Sequence, residues 1–477
     1  MSITKKVAHN TLIQIIGKVL STLLGLVALG MMTRYLPVEQ FGWYTTTITF
    51  LQFIGILIDF GLIPVTAQML SEGQFDKQKL LKNLIGYRFV TAVVFLGIAP
   101  ILALFFPYPP IVKVAIAMST INFFGVAMNQ IFIGFYQTQL KMHMQVIGEN
   151  IGRIALIIGL WIIMATQKGF LSVIGAITVS SLAYTIFLWI RARKEGFSVG
   201  MAYDRDLWKA ITKKMWPIAI SIIFNVIYLR GDTIFLSLFR PQTDVAIYGA
   251  AYRVIDTMAQ TAMMLMGVLL PLLTAAWFQK KVQEFRLRYQ QSFDSMMMLA
   301  VPMVVGIVTL AKPIVVLVAG DQYTGSGTVL RILAVAVFGV YLGAVFGHTA
   351  VALNKQKQTM WIYISDAILT LTGYLIFIPK YGMMGAAWMT VFSEVYAGVL
   401  LWMVVRRYAQ VSLEIKTFAK ILFAAAVMGA VLVQLQHLHV LWLVIIGALI
   451  YGFFLLGLGA VSKQTLVEIL GMKQKSE

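Results

Sequence analysis

Thirteen charged residues interrupt stretches that are otherwise apolar: Lys18, Asp59, Arg88, Glu149, Arg153, Arg230, Asp232, Arg253, Asp256, Asp294, Arg331, Asp366 and Glu394. In hydrocarbon each costs a few kcal/mol or more unless it faces a cavity or a partner, so each marks a place where an ion, a proton or an anionic headgroup can be handled. Depth sorts them at about 1.5 Å of rise per residue. Asp59, Arg88 and Asp294 fall within about two turns of a span end, where snorkelling suffices. Lys18 lies ~12 Å along its span and shares a face with Gln14, Thr22 and Gly25, a stripe that suits a cavity wall and equally a packed helix. Glu149 and Arg153 are spaced i, i+4 with the acid first, the favourable order. They read as a structural pair, or as a phosphate-binding Arg153 tuned by Glu149. On one segment Ser221, Asn225, Tyr228 and Asp232 share a face, with Arg230 about 200° away from Asp232. On the next, Tyr252, Asp256 and Gln260 form a stripe, and Arg253 reaches Asp256 at i, i+3. These groups suit a gate latch or direct substrate contact. Arg331 suits a cavity mouth or an outward snorkel. Asp366 and Glu394 read as isolated acids and as candidates for a coupling proton or sodium site.

None of this resembles an enzyme's constellation. The chain has no cysteine, which excludes disulfides and a thiol nucleophile. Its five histidines, His9, His143, His348, His437 and His439, include no metal-binding helical pair; His437 and His439 read as a solvated loop tip. A phosphate-cradling glycine loop, a nucleophile elbow and an acidic cluster for a metal–nucleotide sugar are all missing. No catalytic residue, resident metal or cofactor is expected, only coupling to H+ or Na+.

The elements that must position these charges are membrane spans. The hydrophobic fraction is 60%, the charged fraction 12% and the mean hydropathy +0.84, whereas a soluble chain carries about a quarter charged residues. Apolar runs of roughly 20 residues, long enough to cross a ~30 Å hydrocarbon core, recur at 10–33, 41–64, 83–105, 112–136, 143–165, 170–191, 215–238, 246–275, 291–311, 326–352, 359–379, 384–405, 418–434 and 440–461. The fold class is all-α integral membrane, with about fourteen transmembrane helices. Lys5 and Lys6 precede the first run as in a signal peptide, but no cleavage site follows, so a retained helix is expected. With the N-terminus inside, twenty-six Lys and Arg residues fall in cytoplasmic segments and six (Arg34, Lys113, Lys168, Arg240, Lys312, Lys380) outside. That bias places both termini in the cytoplasm. The net charge of +19 is thereby topology signal and contact with anionic lipid, not a nucleic-acid surface.

The sequence also repeats itself. Tyr35-Leu36-Pro37 through Tyr44 matches Phe239-Arg240-Pro241 through Tyr248, so that Pro37 pairs with Pro241 and Tyr44 with Tyr248. Gln139 and Gln356 are followed ten residues later by Glu149 and Asp366. Even numbers of spans per copy give parallel repeats, with the substrate path between them. The expected organisation is a six-helix lobe over 1–195, a basic amphipathic cytoplasmic linker over 196–214, a second six-helix lobe over 215–407, and two extra helices with a cytoplasmic tail over 408–477. In the linker, Asp204 is expected to cap a helix whose Leu207, Trp208, Ile211 and Met215 face lipid.

Three segments carry a family resemblance: Thr33-Arg34-Tyr35-Leu36-Pro37 to Phe41-Gly42-Trp43-Tyr44, Arg230-Gly231-Asp232-Thr233-Ile234-Phe235-Leu236, and Ile247-Tyr248-Gly249-Ala250-Ala251-Tyr252-Arg253. The chain resembles the polysaccharide transporters, of O-antigen flippase type, in the multidrug/oligosaccharidyl-lipid/polysaccharide exporter superfamily. It departs from the family pattern at Pro37 and Ala246, where glycine is usual. The resemblance implies two lobes alternating between inward- and outward-open states. They would carry an undecaprenyl-pyrophosphate-linked oligosaccharide from the inner to the outer leaflet of the cytoplasmic membrane, with polysaccharide polymerase or assembly proteins as partners. Lys18, Arg153, Arg230 and Arg253 are then the cavity cations, and Asp232, Asp256, Asp366 and Glu394 the gate or ion-coupling acids. A lipid II-type flippase and a drug/cation antiporter of the same superfamily are the alternatives, with a membrane-embedded enzyme on lipid-linked sugars a distant one.

Overall fold

A chain this apolar leaves its backbone amides and carbonyls little water to bond, and helices, which close their own hydrogen bonds, answer that constraint. The computed structural model describes residues 3–59, 62, 65–66, 69–70, 75–139, 141–196 and 200–460, with backbone alone at 3–12, 15, 56–59, 138 and 217–229. The helices are α1 Ile3–Tyr35, α2 Val38–Asp59, α3 Lys77–Leu104, α4 Pro110–Thr138, α5 His143–Ala165, α6 Phe170–Lys194, α7 Arg205–Phe239, α8 Gln242–Phe278, α9 Val282–Ala319, α10 Ser326–Ala352, α11 Gln356–Ala409, α12 Lys416–Gln434 and α13 Val440–Gly457. A 3-10 turn spans Asp321–Tyr323, and there is no strand among the described residues. Eleven of the helices are long and apolar enough, by length and composition, to cross a membrane. Large apolar side chains stand exposed along them, Phe453 at 74% and Trp161 at 66%, as expected where the solvent is lipid.

As far as the described residues go, all fourteen expected spans fall on these helices because α11 carries two; the end of the second, at 60–64, lies largely outside the described residues. Gly382, three residues past Pro379, leaves the helical region at φ 58° and ψ −138°, a conformation glycine reaches without the Cβ clash of other residues. A Cβ on Gly385 would stand 2.3 Å from the Phe377 carbonyl oxygen. Eight residues of straight helix would separate those positions by about 12 Å, so the chain doubles back there. A second interruption, at Leu310 of α9, precedes Pro313, which lacks the N–H that would bond Thr309. Gln436 Nε2 donates to that Thr309 carbonyl at 3.3 Å, and Arg331 Nε donates to the Val308 carbonyl at 3.2 Å.

The chain packs into two compact units. The first is Met1–Gly249 with Val318–Gly320 and Leu371–Ala386; the second is Ala250–Leu317, Asp321–Thr370 and Ala387–Glu477. In the first, α1 lies along α5, α5 along α6, and α4 packs on α2, α3 and α6.

The linker corrects one expectation. Asp204 does cap α7, accepting from the Asp206 and Leu207 amides at 3.1 Å each. Leu207, Ile211 and Met215, however, are buried in a core cluster with Leu80, Leu81, Leu84 and Ile85 of α3. The amphipathic turns rest on protein rather than lipid because α3 starts at Lys77, early enough to offer them an apolar face of its own.

Candidate functional site

The α1 stripe is a packed seam. Lys18 Nζ lies 3.0 Å from Glu149 Oε1 and 3.2 Å from Oε2, and Ser21 Oγ donates to Oε1 at 2.8 Å. Asn150 Nδ2 donates to the Gly17 carbonyl at 3.1 Å. Glu149 therefore takes Lys18 as its direct partner, and Arg153, expected to pair with it at i, i+4, acts on it only through its field. The Arg153 guanidinium carbon lies 3.5 Å from where a Cβ on Gly25 would stand, so the missing side chain at 25 lets the guanidinium lie against α1. Among the described residues Arg153 makes no hydrogen bond or ion pair. Ten residues into α5, it sits ~15 Å along that helix, and no described residue engages its N–H donors.

The second charged group centres on Asp232 of α7, which is fully buried. Tyr248 Oη donates to its Oδ2 at 2.6 Å, and the Thr233 amide to its Oδ1 at 2.6 Å. Arg230 reaches it through its field, consistent with the angular separation of the two along α7. Ser221, Asn225 and Tyr228 carry side chains outside the described residues. Arg253 and Asp256 of α8 fall in the second unit, both half-buried.

Asp366 and Glu394, which read as isolated acids, are neighbours inside the second unit. Asp366 is buried, with Thr370 Oγ1 donating to Oδ1 at 3.1 Å and Ser393 Oγ donating to Oδ2 at 3.0 Å. Glu394 follows Ser393 directly, is also buried, and lies in the field of Asp366. It packs so closely on α10 that a Cβ on Gly339 would lie 2.7 Å from its own Cβ. Among the described residues neither acid has an ion-pair partner. Linear distance along α11 hid this neighbourhood, which only the reversal at Gly382 creates.

One charge reads differently from its depth. Arg88 is fully buried on α3, with its guanidinium on Gln130 of α4, instead of snorkelling to an interface. Asn129 and Gln130, a polar pair in the middle of an apolar span, are the signal that points to it. The two repeated elbows also meet. A Cβ on Gly42 would stand 1.9 Å from the Gln242 carbonyl oxygen and one on Gly249 2.7 Å from Thr45 Cγ2, while Thr46 Oγ1 donates to Gln242 Oε1 at 2.6 Å. Only residues without a Cβ permit that approach.

Comparison with known proteins adds a family. The sequence pattern of a family described as "Polysaccharide biosynthesis protein" matches residues 7–277, more than half of the chain. The "Probable low-salt glycan biosynthesis flippase Agl15" of Haloferax volcanii is 24% identical over 174 residues, 36% of this chain and 37% of that protein. The chain thus spans little more than a third of this relative's length in the match. In fold it is similar to "Lipid II flippase MurJ, inward closed conformation", with a TM-score of 0.75 and 16% identity over 95% of this chain and 98% of the other. A multidrug resistance MATE family transporter in an inward-facing conformation gives a TM-score of 0.68 and 14% identity over 82% and 94%.

Proposed function

This chain belongs to the polysaccharide biosynthesis protein family, and on that premise we propose that it is a flippase for a lipid-linked oligosaccharide. The cargo is an undecaprenyl-pyrophosphate-linked repeat unit, carried from the inner to the outer leaflet of the cytoplasmic membrane by alternating access between two six-helix lobes. The similarity to the Haloferax glycan biosynthesis flippase and the fold shared with a lipid II flippase and a multidrug resistance MATE family transporter support this reading. The excess of Lys and Arg on one side supports cytoplasmic termini.

The observation that carries the chemistry is Arg153. A pyrophosphate crossing a low-dielectric slab needs donors that replace its hydration, and an Arg fork matches phosphate oxygens two at a time. Lys18 is unsuited to that role because Glu149 already holds it at 3.0 Å. The same pair frees Arg153 from the acid four residues before it. Arg230 and Arg253, each within its own unit, are further candidate cargo cations, and Lys18 sets the field rather than touching the cargo. Asp366, braced by two hydroxyls and beside Glu394, is the place for a coupling H+ or Na+, with Asp232 and Asp256 as gate acids.

The test is flipping of a fluorescent polyprenyl-pyrophosphate oligosaccharide in proteoliposomes. Arg153→Gln should slow it about tenfold or more, the worth of a charge-assisted hydrogen bond, while Arg153→Lys retains part of the rate. Full activity of Arg153→Gln would remove it from the path. Equal transport of lipid II would favour the lipid II-type alternative, and export of organic cations the antiporter.

A further inference from the structure

The turns that open α7 present two faces of opposite character. Leu207, Ile211 and Met215 are at most 2% exposed, closed against α3. On the other side Arg205, Lys209, Lys213 and Trp216 recur at i, i+4, i+8 and i+11, within an arc of about 80°, and all four are exposed. Among the described residues Arg205, Lys209 and Lys213 have no ion-pair partner. Of the two acids that flank Arg205, Asp204 is engaged by Lys79 Nζ at 2.6 Å, and the exposed Asp206 stands about 100° round the helix from it.

This stripe is rigidly mounted. The Ala202 amide donates to the Lys82 carbonyl at 3.1 Å, the Tyr87 ring meets Trp208 edge-on with centroids 5.2 Å apart, and Tyr87 Oη is 3.2 Å from Thr212 Oγ1. A Cβ on Gly86 would stand 2.5 Å from the Ala202 carbonyl oxygen, so the docking tolerates no side chain there. An interfacial helix ordinarily binds lipid by sinking its apolar face. Here that face is committed to α3, and what remains for the membrane is charge. Trp216, 63% exposed, marks the headgroup level, where indoles collect.

We propose that the Arg205–Lys209–Lys213 stripe is a binding site for anionic phospholipid headgroups of the cytoplasmic leaflet, at the level that Trp216 marks. It rests on the cytoplasmic orientation given above, not on the identity of the cargo. Helix rise puts Lys213 about 4.5 Å from the Trp216 level, Lys209 about 10 Å and Arg205 about 16 Å. With a screening length of about 8 Å at physiological salt, Lys213 contributes most and Arg205 least. Each lysine near an anionic surface multiplies association roughly fivefold.

The chain lacks cysteine, so Trp216→Cys can carry a single bimane label in the full-length protein. Quenching by headgroup spin-labelled phosphatidylglycerol is compared with quenching by spin-labelled phosphatidylcholine, in phosphatidylcholine vesicles at equal mole fraction. The expected result is a severalfold preference for phosphatidylglycerol that 0.5 M salt removes. Lys209→Gln with Lys213→Gln should abolish it, Arg205→Gln weaken it least, and Lys213→Arg retain it. Equal quenching by the two lipids, or a preference that survives both lysine substitutions or high salt, overturns the site. Flipping of the oligosaccharide lipid in the same vesicles reports separately on the proposed function, so failure of one does not imply failure of the other.

Discussion

Two acids in this molecule hydrogen-bond to hydroxyls in similar ways and differ in everything else. Glu149 of α5 takes a hydroxyl from Ser21 and an ammonium from Lys18. Asp366 of α11 takes two hydroxyls, from Thr370 and Ser393, and has a second acid, Glu394, as its neighbour. The first is electrically complete as it stands. The second is not, because a buried carboxylate braced by neutral donors and facing another acid needs a cation or a proton before both can stay buried. The difference teaches that acids in membrane spans divide by whether the protein itself supplies the countercharge. On the proposed function, those that lack it are the candidates for coupling an external ion to movement.

Removing the second acid site should have the largest effect. Asp366→Asn or Glu394→Gln is expected to abolish the dependence of flipping on an imposed H+ or Na+ gradient while leaving insertion and folding intact. An unchanged gradient dependence in both would show that the site is merely structural. Next is the seam. Glu149→Gln leaves Lys18 half-buried without its partner, and a loss of about 2 kcal/mol is expected, below the 3–5 kcal/mol of a fully buried broken pair because Lys18 is partly exposed. Adding Lys18→Gln should recover most of it. Thermal unfolding of the single and double variants in detergent gives the coupling, and additive losses would dissolve the pair.

Bracing hydroxyls matter less than the groups they brace. Ser393→Ala should raise the half-maximal coupling-ion concentration about tenfold, the lower end for removing an outer-shell partner, whereas Ser21→Ala should leave it unmoved. A shift with Ser21→Ala would erase the distinction between the two acids. The smallest effect belongs to Asp204, a partly exposed acid. Hydrogen bonding from Lys79, followed by the Leu207 amide, holds its carboxyl below the usual carboxylate range. A depressed carboxylate contributes stability above its unfolded value and loses it as pH falls through the lowered folded one. Hydrogen exchange at the Asp206 and Leu207 amides should therefore quicken under strong acid in the native protein, and Asp204→Asn should flatten that response.

Much of the scaffold was legible without coordinates. Apolar runs longer than the hydrocarbon thickness gave the spans, and Asp204 gave the start of α7 because a side-chain oxygen there satisfies amides the helix leaves open. The repeated prolines at 37 and 241 located the elbows. Their partners were not legible. Tyr248 donates to Asp232, an acid sixteen residues before it and across the elbow, at 2.6 Å. Arg88 misled because depth along one helix says nothing of a Gln130 on another.

The sequence by itself determined that this is a helical membrane protein with charges embedded in its spans, since hydropathy and helical period are local properties of the chain. Tertiary structure alone decided which charges cancel. Whether Glu149 meets Lys18 or Arg153, whether Leu207 rests on α3 or on lipid, and whether Asp366 and Glu394 adjoin all depend on helix rotation and on one reversal at Gly382. Ion pairing at 3 Å is lost within a few ångströms of error, and no periodicity along a single helix fixes the angle at which it faces its neighbours.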